Sequence, residues 1–306
     1  MDKTIHILKQ SGILLLEVLL MMLIGAFLLT LYFGILYPFL SEQMIPAETD
    51  DLYIDYPYEM LVINFLPICA IAIAVIWFVH RVIFRRDDKE LGFNSKGLLS
   101  QFGIGTLLGA VLVLVGFFLL LLTDQVDVTG TNPNLYLLIG FLVMFIFQSF
   151  GEEILFRSYL IPTIENRLGT WAALIISSIL FALLHIGNVG IGWIGSVNLI
   201  VGGGLMGLLF LRYRNIWAPT GFHFAWNYVQ SSVLGFEVSG VKTYSYWQMK
   251  DKGIDLWTGG DFGYEGSLIA VIFIMAASYV FWKDSPELRA EFKPIEYPKP
   301  DESPIA

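Results

Sequence analysis

Apolar residues occupy this chain in long blocks, each about as long as a bilayer is thick and each closed by a polar break. Stretches suited to spans of ~20 residues fall at about 13–36, 61–84, 102–122, 135–156, 171–185, 191–211, 216–234 and 267–282. The pattern predicts an all-α fold, a polytopic membrane bundle of about eight transmembrane helices. The break Arg212-Tyr213-Arg214-Asn215 is so short that the helices flanking it are antiparallel neighbours. Gly203 and Gly207 give the sixth helix a G-x-x-x-G face, a spacing that lets helix backbones approach closely.

The breaks alternate in charge. Glu42, Glu48, Asp50, Asp51, Asp55 and Glu59 fill the first, and Asp124 and Asp127 lie in the third. Arg81, Arg85, Arg86, Lys89 and Lys96 fill the second, Arg157 and Arg167 border the fourth, and Arg212 and Arg214 border the sixth. Positive residues collect on the cytoplasmic side of a membrane, which places the even-numbered loops and both termini in the cytoplasm. The first apolar run follows Lys3 and Lys9 and is longer than the ~7–15 residues of a signal-peptide core, so it is expected to remain an uncleaved span. Residues 1–134 then hold helices one to three, 135–234 a core of helices four to seven, and 235–284 an outer loop with the last span. The charged, proline-bearing stretch 285–306 reads as a disordered cytoplasmic tail. The loop at 235–266 carries Trp247, Trp257 and several tyrosines and is expected to rest on the outer headgroups.

Composition agrees with a membrane protein. The 306 residues are 56% hydrophobic and only 15% charged, against about 25% charged in soluble domains. The net charge of −9 comes with no basic patch interleaved with aromatics, so nucleic acid is not an expected partner. Cys69 is the only cysteine, which excludes an intrachain disulfide and reads as a small buried side chain.

Ionisable groups at bilayer depth cost roughly 2.5–3.5 kcal/mol each on insertion scales and are rare without a function. Glu17 in the first span is expected to reach back to the interface or pair locally, His80 to be interfacial, and His6 to be solvated. The concentration at 135–234 is different. Gly151-Glu152-Glu153-Ile154-Leu155-Phe156-Arg157 closes one apolar segment, Phe181-Ala182-Leu183-Leu184-His185 the next, and His223-Phe224-Ala225-Trp226-Asn227 lies in a third.

Counting places these groups together. If the fourth helix runs on and the chain reverses near Gly169-Thr170, Glu153 and His185 each lie ~24 Å from the turn at 1.5 Å per residue. His223 and Asn227, four apart, share one helix face. They match the depth of the glutamates if the Glu/His hairpin projects ~5–10 Å into the cytoplasm, at the same 1.5 Å per residue. Glu153 and Arg157 are also four apart, so the guanidinium is expected to hold that carboxylate ionised, which leaves Glu152 as the candidate general base. A base, a water-orienting imidazole and two further hydrogen-bonding groups are what peptide-bond hydrolysis requires.

The three elements E-E-x-x-x-R (Glu152, Glu153, Arg157), F-x-x-x-H (Phe181, His185) and H-x-x-x-N (His223, Asn227) resemble the CAAX protease and bacteriocin-processing (Abi) family of intramembrane proteases, as in type II CAAX prenyl proteases. The stretch Asn215-Ile216-Trp217-Ala218-Pro219 is similar to that family too. The resemblance covers about a hundred residues and implies an intramembrane endopeptidase acting on a membrane-associated protein or peptide, with the lipid bilayer as its other partner. It further implies that Glu152 and His185 prepare the water, that His223 and Asn227 bind the developing oxyanion, and that Glu153 and Arg157 support them. The family is often described as metalloproteases, so zinc is a possible cofactor. The chain has no H-E-x-x-H helix, and a metal-independent glutamate mechanism is favoured. Some relatives imply an alternative, a non-catalytic partner such as a bacteriocin-immunity or sensor-kinase regulatory protein. A transporter is disfavoured because no inverted repeat is visible. A multi-pass protein of the cell (plasma) membrane is the expected setting.

Overall fold

In a computed structural model of the protein, residues 2–36, 58–85, 87 and 91–291 are described. The acidic residues expected at 42–55, the basic Arg86 and Lys89, and the tail beyond 291 lie outside the described residues, as do the side chains of His6, Lys3, Lys9 and Glu59.

The fold is a helical bundle. Helix α1 spans Asp2–Leu31, α2 Tyr58–Phe78, α3 Leu98–Leu122, α4 Leu135–Leu168, α5 Thr170–Leu184, α6 Trp193–Tyr213, α7 Trp217–Tyr228 and α8 Leu268–Lys283. Each coincides with one of the eight apolar blocks. Four helical stretches among the described residues are long and apolar enough to cross a membrane: Asn64–Ile83, Leu98–Leu122, Leu135–Leu168 and Trp193–Tyr213. The expectation of a helical membrane bundle is met in its helices, and four of them, not eight, have the length and hydropathy of a span. The 15 residues of α5 and 16 of α8 rise only about 22–24 Å, short of the ~30 Å hydrocarbon core. Exposed Leu23, Phe27, Leu107, Ile139, Leu184 and Met275 leave the apolar exterior of a multi-pass membrane protein.

Helix α7 lies at the centre, against α3, α4 and α6, with every residue from Ala218 to Asn227 buried. Glycine makes the α3–α7 contact possible. A Cβ on Gly105 would lie 2.0 Å from the Ala218 carbonyl oxygen, and one on Gly109 2.5 Å from that of Phe222. Across the interface, a Cβ on Gly221 would lie 2.2 Å from the Phe102 carbonyl oxygen. This is the closest helix pairing near the site, and it uses a G-x-x-x-G spacing on α3. The Gly203 and Gly207 face packs on α5 instead, where the added Cβ atoms would meet Ser178 Cα and Leu174 Cδ1.

The fourth helix does run past Glu153. It continues as a π-helix over Ile154–Leu160 and an α-helical end over Ile161–Leu168. Pro162 cannot donate to the carbonyl four residues back and its ring crowds it, and the widened turn just before Pro162 absorbs the mismatch. Gly169, at φ 85° and ψ 169°, reverses the chain in a conformation that side chains resist. The returning α5 is pinned by Ser177 Oγ, which donates to the Phe156 carbonyl at 2.7 Å. Glu165 of the hairpin end pairs with Arg214 between α6 and α7 at 2.5 Å, tying the two basic turns together.

Three expectations are corrected, those for a wholly α fold, for Glu17 and for His80. Val126–Thr131 (β1) and Trp247–Asp251 (β2) form an antiparallel ribbon, so the fold is helical with a small sheet on the side where α4 begins. Hydrogen bonds to Asp124 and Asp127 brace Lys252 beside it and hold its ammonium protonated above the ordinary lysine range. The 235–266 segment packs on the bundle, as where Gly240 meets the Val189 carbonyl, because its turns and apolar side chains find partners there. Glu17 is buried and accepts a hydrogen bond from the Tyr159 hydroxyl, 142 residues away, and His80 is buried with Nε2 3.0 Å from the Asp87 carbonyl oxygen. In both cases a fixed partner inside the protein replaces water.

Candidate active site

The last turn of the α-helical part of α4 presents Glu152 and Glu153 to different neighbours, as adjacent helical residues must. Glu153 is fully buried and shared. Its Oε2 lies 3.1 Å from Arg157 Nε, one helical turn on, and its Oε1 accepts from His223 Nδ1 at 2.9 Å. Arg157 is also fully buried, its guanidinium 4.8 Å from the centroid of the Phe181 ring. That ring stands 4.8 Å from the imidazole of His185 and edge-on to that of His223. Phe181 is thus the apolar wedge that spaces the cation from both imidazoles, which accounts for the aromatic in F-x-x-x-H.

Glu152 is partly exposed. Its Oε1 accepts from Gln148 Nε2 at 2.5 Å. Among the described residues its Oε2 has no hydrogen-bond partner, and it faces two ring nitrogens, His185 Nε2 at 3.8 Å and His223 Nε2 at 3.9 Å. Both imidazoles are oriented from behind. His185 Nδ1 lies 2.8 Å from the Phe181 carbonyl oxygen, which can only accept, so this nitrogen carries a proton and in the neutral ring Nε2 holds the lone pair. His223 is oriented through its Nδ1, which donates to Glu153. Asn227 Nδ2 donates to Gln148 Oε1 at 3.0 Å, so one amide bridges the first carboxylate to the last motif residue.

The start of α7 explains the Asn215-Ile216-Trp217-Ala218-Pro219 stretch. Asn215 Nδ2 and Trp217 Nε1 both donate to the Asn94 carbonyl, at 2.9 and 2.8 Å, and fix the helix's level. Pro219 sits in the first turn, where its missing N–H costs nothing.

All six expected residues, Glu152, Glu153, Arg157, His185, His223 and Asn227, converge on one centre. The structure adds four that sequence reasoning missed: Gln148, Asn198, Ser239 and Glu265. Gln148 is a polar residue one turn before Glu152 in an apolar helix, a signal present but weak. Glu265 Oε1 accepts from Trp226 Nε1 at 3.1 Å, and its Oε2 from the Ser239 amide and hydroxyl at 2.9 and 2.7 Å. It fastens the segment after α7 beneath the site.

A cavity of about 350 Å³ ends on Glu152, His185 and Asn227. Phe141, Met144 and Phe145 of α4 and Val238 and Val241 beyond α7 give it apolar walls. It extends toward the side where α4 begins and α5 ends, away from the Glu165–Arg214 turns. Among the described residues no group of three His, Cys, Asp or Glu side chains is arranged to hold a metal ion.

No curated protein matches the chain. Residues 134–229 match the family model described as "Type II CAAX prenyl endopeptidase Rce1-like", a stretch that begins at the cap of α4, ends just past α7 and contains all six residues of the three motifs. With the motif side chains gathered at one centre inside the matched segment, residues 134–229 are similar to the type II CAAX prenyl endopeptidase family.

Proposed function

We propose that this protein is an intramembrane endopeptidase that hydrolyses a peptide bond of a membrane-associated protein or peptide. The observation that carries the reading is the facing of Glu152 Oε2 by the Nε2 atoms of His185 and His223 at 3.8 and 3.9 Å. Those separations are too long for direct hydrogen bonds and suit a reacting group between them.

The chemistry follows from the donors and acceptors. A water there gives one hydrogen to Glu152 Oε2 and the other to the His185 Nε2 lone pair, which leaves its own lone pair aimed at a substrate carbonyl carbon. As oxygen attacks, Glu152 takes the proton. The carbonyl oxygen becomes an oxyanion that accepts from Asn227 Nδ2 and from His223 Nε2 in its imidazolium form. Charge counting supports that form, because Glu152 and Glu153 are then balanced by Arg157 and His223. Glu152 next passes its proton to the amide nitrogen and the C–N bond breaks; the remaining hydroxyl proton passes to the departing amine, so a carboxylate and an ammonium leave and Glu152 is again a carboxylate. His223 and Asn227 supply the charge stabilisation, so no step requires a metal. The apolar cavity suits a substrate with large apolar groups beside the scissile bond. The setting is the cell membrane, with the basic turns cytoplasmic.

Peptides from membranes of cells carrying the wild-type protein or Glu152→Gln test this reading. The wild-type membranes are expected to contain cleaved fragments with apolar flanks that the variant lacks, with or without a metal chelator. Identical peptide profiles would remove the proteolytic reading and favour a binding partner. Fragments lost on chelation and restored by stoichiometric zinc would remove the metal-independent mechanism.

A further inference from the structure

A second, smaller chamber lies behind the imidazoles. It holds about 40 Å³ and is bounded by His185, His223 and Asn227, by Asn198 of α6, and by Ser239 and Glu265. It shares a wall with the apolar cavity, since Gln148, His185, Asn227 and Ser239 border both, whereas Glu152 lines only the large cavity and His223 only the small one. Its polar groups are not equivalent. The Glu265 carboxylate is satisfied by Trp226 and Ser239. Asn198 is 3% exposed, yet its Oδ1 is buried with no hydrogen-bond partner among the described residues. An unpaired buried carbonyl loses its hydration without compensation, and bundle interiors seldom retain one that faces nothing.

A cavity needs roughly 10–15 Å³ and two to four polar partners to hold a water, and this chamber meets both conditions. We infer that it is the water site of the hydrolytic reaction proposed above, and that Asn198 is a positioning residue for that water. The two reactants then arrive separately. Peptide occupies the apolar cavity, while water is stored on the polar side and passes between His185 and Asn227 to Glu152. A purely apolar entry would deliver substrate without water. This inference rests on the hydrolytic reading of the site, but the occupancy of the chamber does not.

Two replacements of Asn198 separate a role in holding water from a role in packing. Asn198→Leu keeps the volume and removes the acceptor. Asn198→Ala removes the acceptor and opens space that another water can fill. With purified full-length protein and an apolar peptide substrate, Leu is expected to lower kcat by about 10- to 100-fold, the lower part of the range for a group serving proton transfer, with KM within twofold. Ala is expected to be milder than Leu. Packing alone predicts the reverse order, because Ala leaves the larger void. A high-resolution structure of the wild-type protein is expected to show water within hydrogen-bond distance of the Asn198 side chain. A dry chamber, a Leu variant as fast as wild type, or an Ala variant slower than Leu would overturn the inference. If the wild-type protein cleaved nothing, the hydrolytic reading would fail, and a chamber holding water would then be only a structural one.

Discussion

At the scale of single residues, two neighbouring glutamates have opposite environments, and the proposed mechanism gives them opposite tasks. Glu153 is enclosed and holds Arg157 and His223, whereas Glu152 keeps one oxygen facing the two imidazoles, with no hydrogen bond among the described residues. Removing one partner of a buried ion pair costs about 3–5 kcal/mol because the remaining charge is uncompensated. Arg157→Met is accordingly expected to lower stability in detergent by that amount, read by denaturant unfolding. Adding Glu153→Gln to it should restore much of the stability but not turnover, because His223 then lacks the carboxylate that charges and orients it. Recovery of turnover in the double variant would show that the pair serves stability alone. These charged residues were legible in the sequence because charge inside an apolar block is conspicuous. Gln148, Asn198 and Ser239 were not, since uncharged polar side chains are common in membrane helices and loops, and only proximity in space gives them meaning.

Among the elements, the site depends on how close α3 lets α7 come. Gly105→Ala would place a methyl 2.0 Å from the Ala218 carbonyl oxygen and 2.7 Å from the Phe222 amide nitrogen, so the helices must part, carrying His223 and Asn227 away from Glu152. A misplacement of ~1 Å in reacting groups costs roughly 10²-fold in rate, and Gly105→Ala should lose turnover to that extent. Gly204→Ala, where the nearest atom is Ser178 Oγ at 3.9 Å, should leave turnover unchanged. Equal activity of both would mean that the α3–α7 approach does not set the site. The hairpin of α4 and α5 followed from residue counting, because helix rise is constant and Gly169 marks the reversal. The β1–β2 ribbon did not, because Val126–Thr131 and Trp247–Asp251 are short, half polar and far apart in sequence. The π-helical turn was hidden as well, since Pro162 predicts a disturbance without saying how the backbone absorbs it.

For the molecule as a whole, the basic turns and the cavity lie toward opposite ends of the bundle. The cavity walls come from the early part of α4 and from the segment after α7, whereas Arg167, Arg212 and Arg214 sit at the other end. If basic residues mark the cytoplasmic side, the cavity opens toward the outer half of the membrane. In a Cys69→Ser background, Asp261→Cys is expected to react with a membrane-impermeant maleimide in intact cells and Asp284→Cys only after lysis. The opposite labelling would invert the orientation and leave the site geometry untouched.

The central claim is that Glu152 activates water at a centre shared with His185 and His223, and the turnover of purified Glu152→Gln beside wild-type protein on one apolar peptide tests it most directly. The variant is nearly isosteric. It should keep the wild-type unfolding midpoint and lose at least about 10²-fold in kcat, the low end for a general base. Cleavage at the wild-type rate by a folded Glu152→Gln protein would contradict the account.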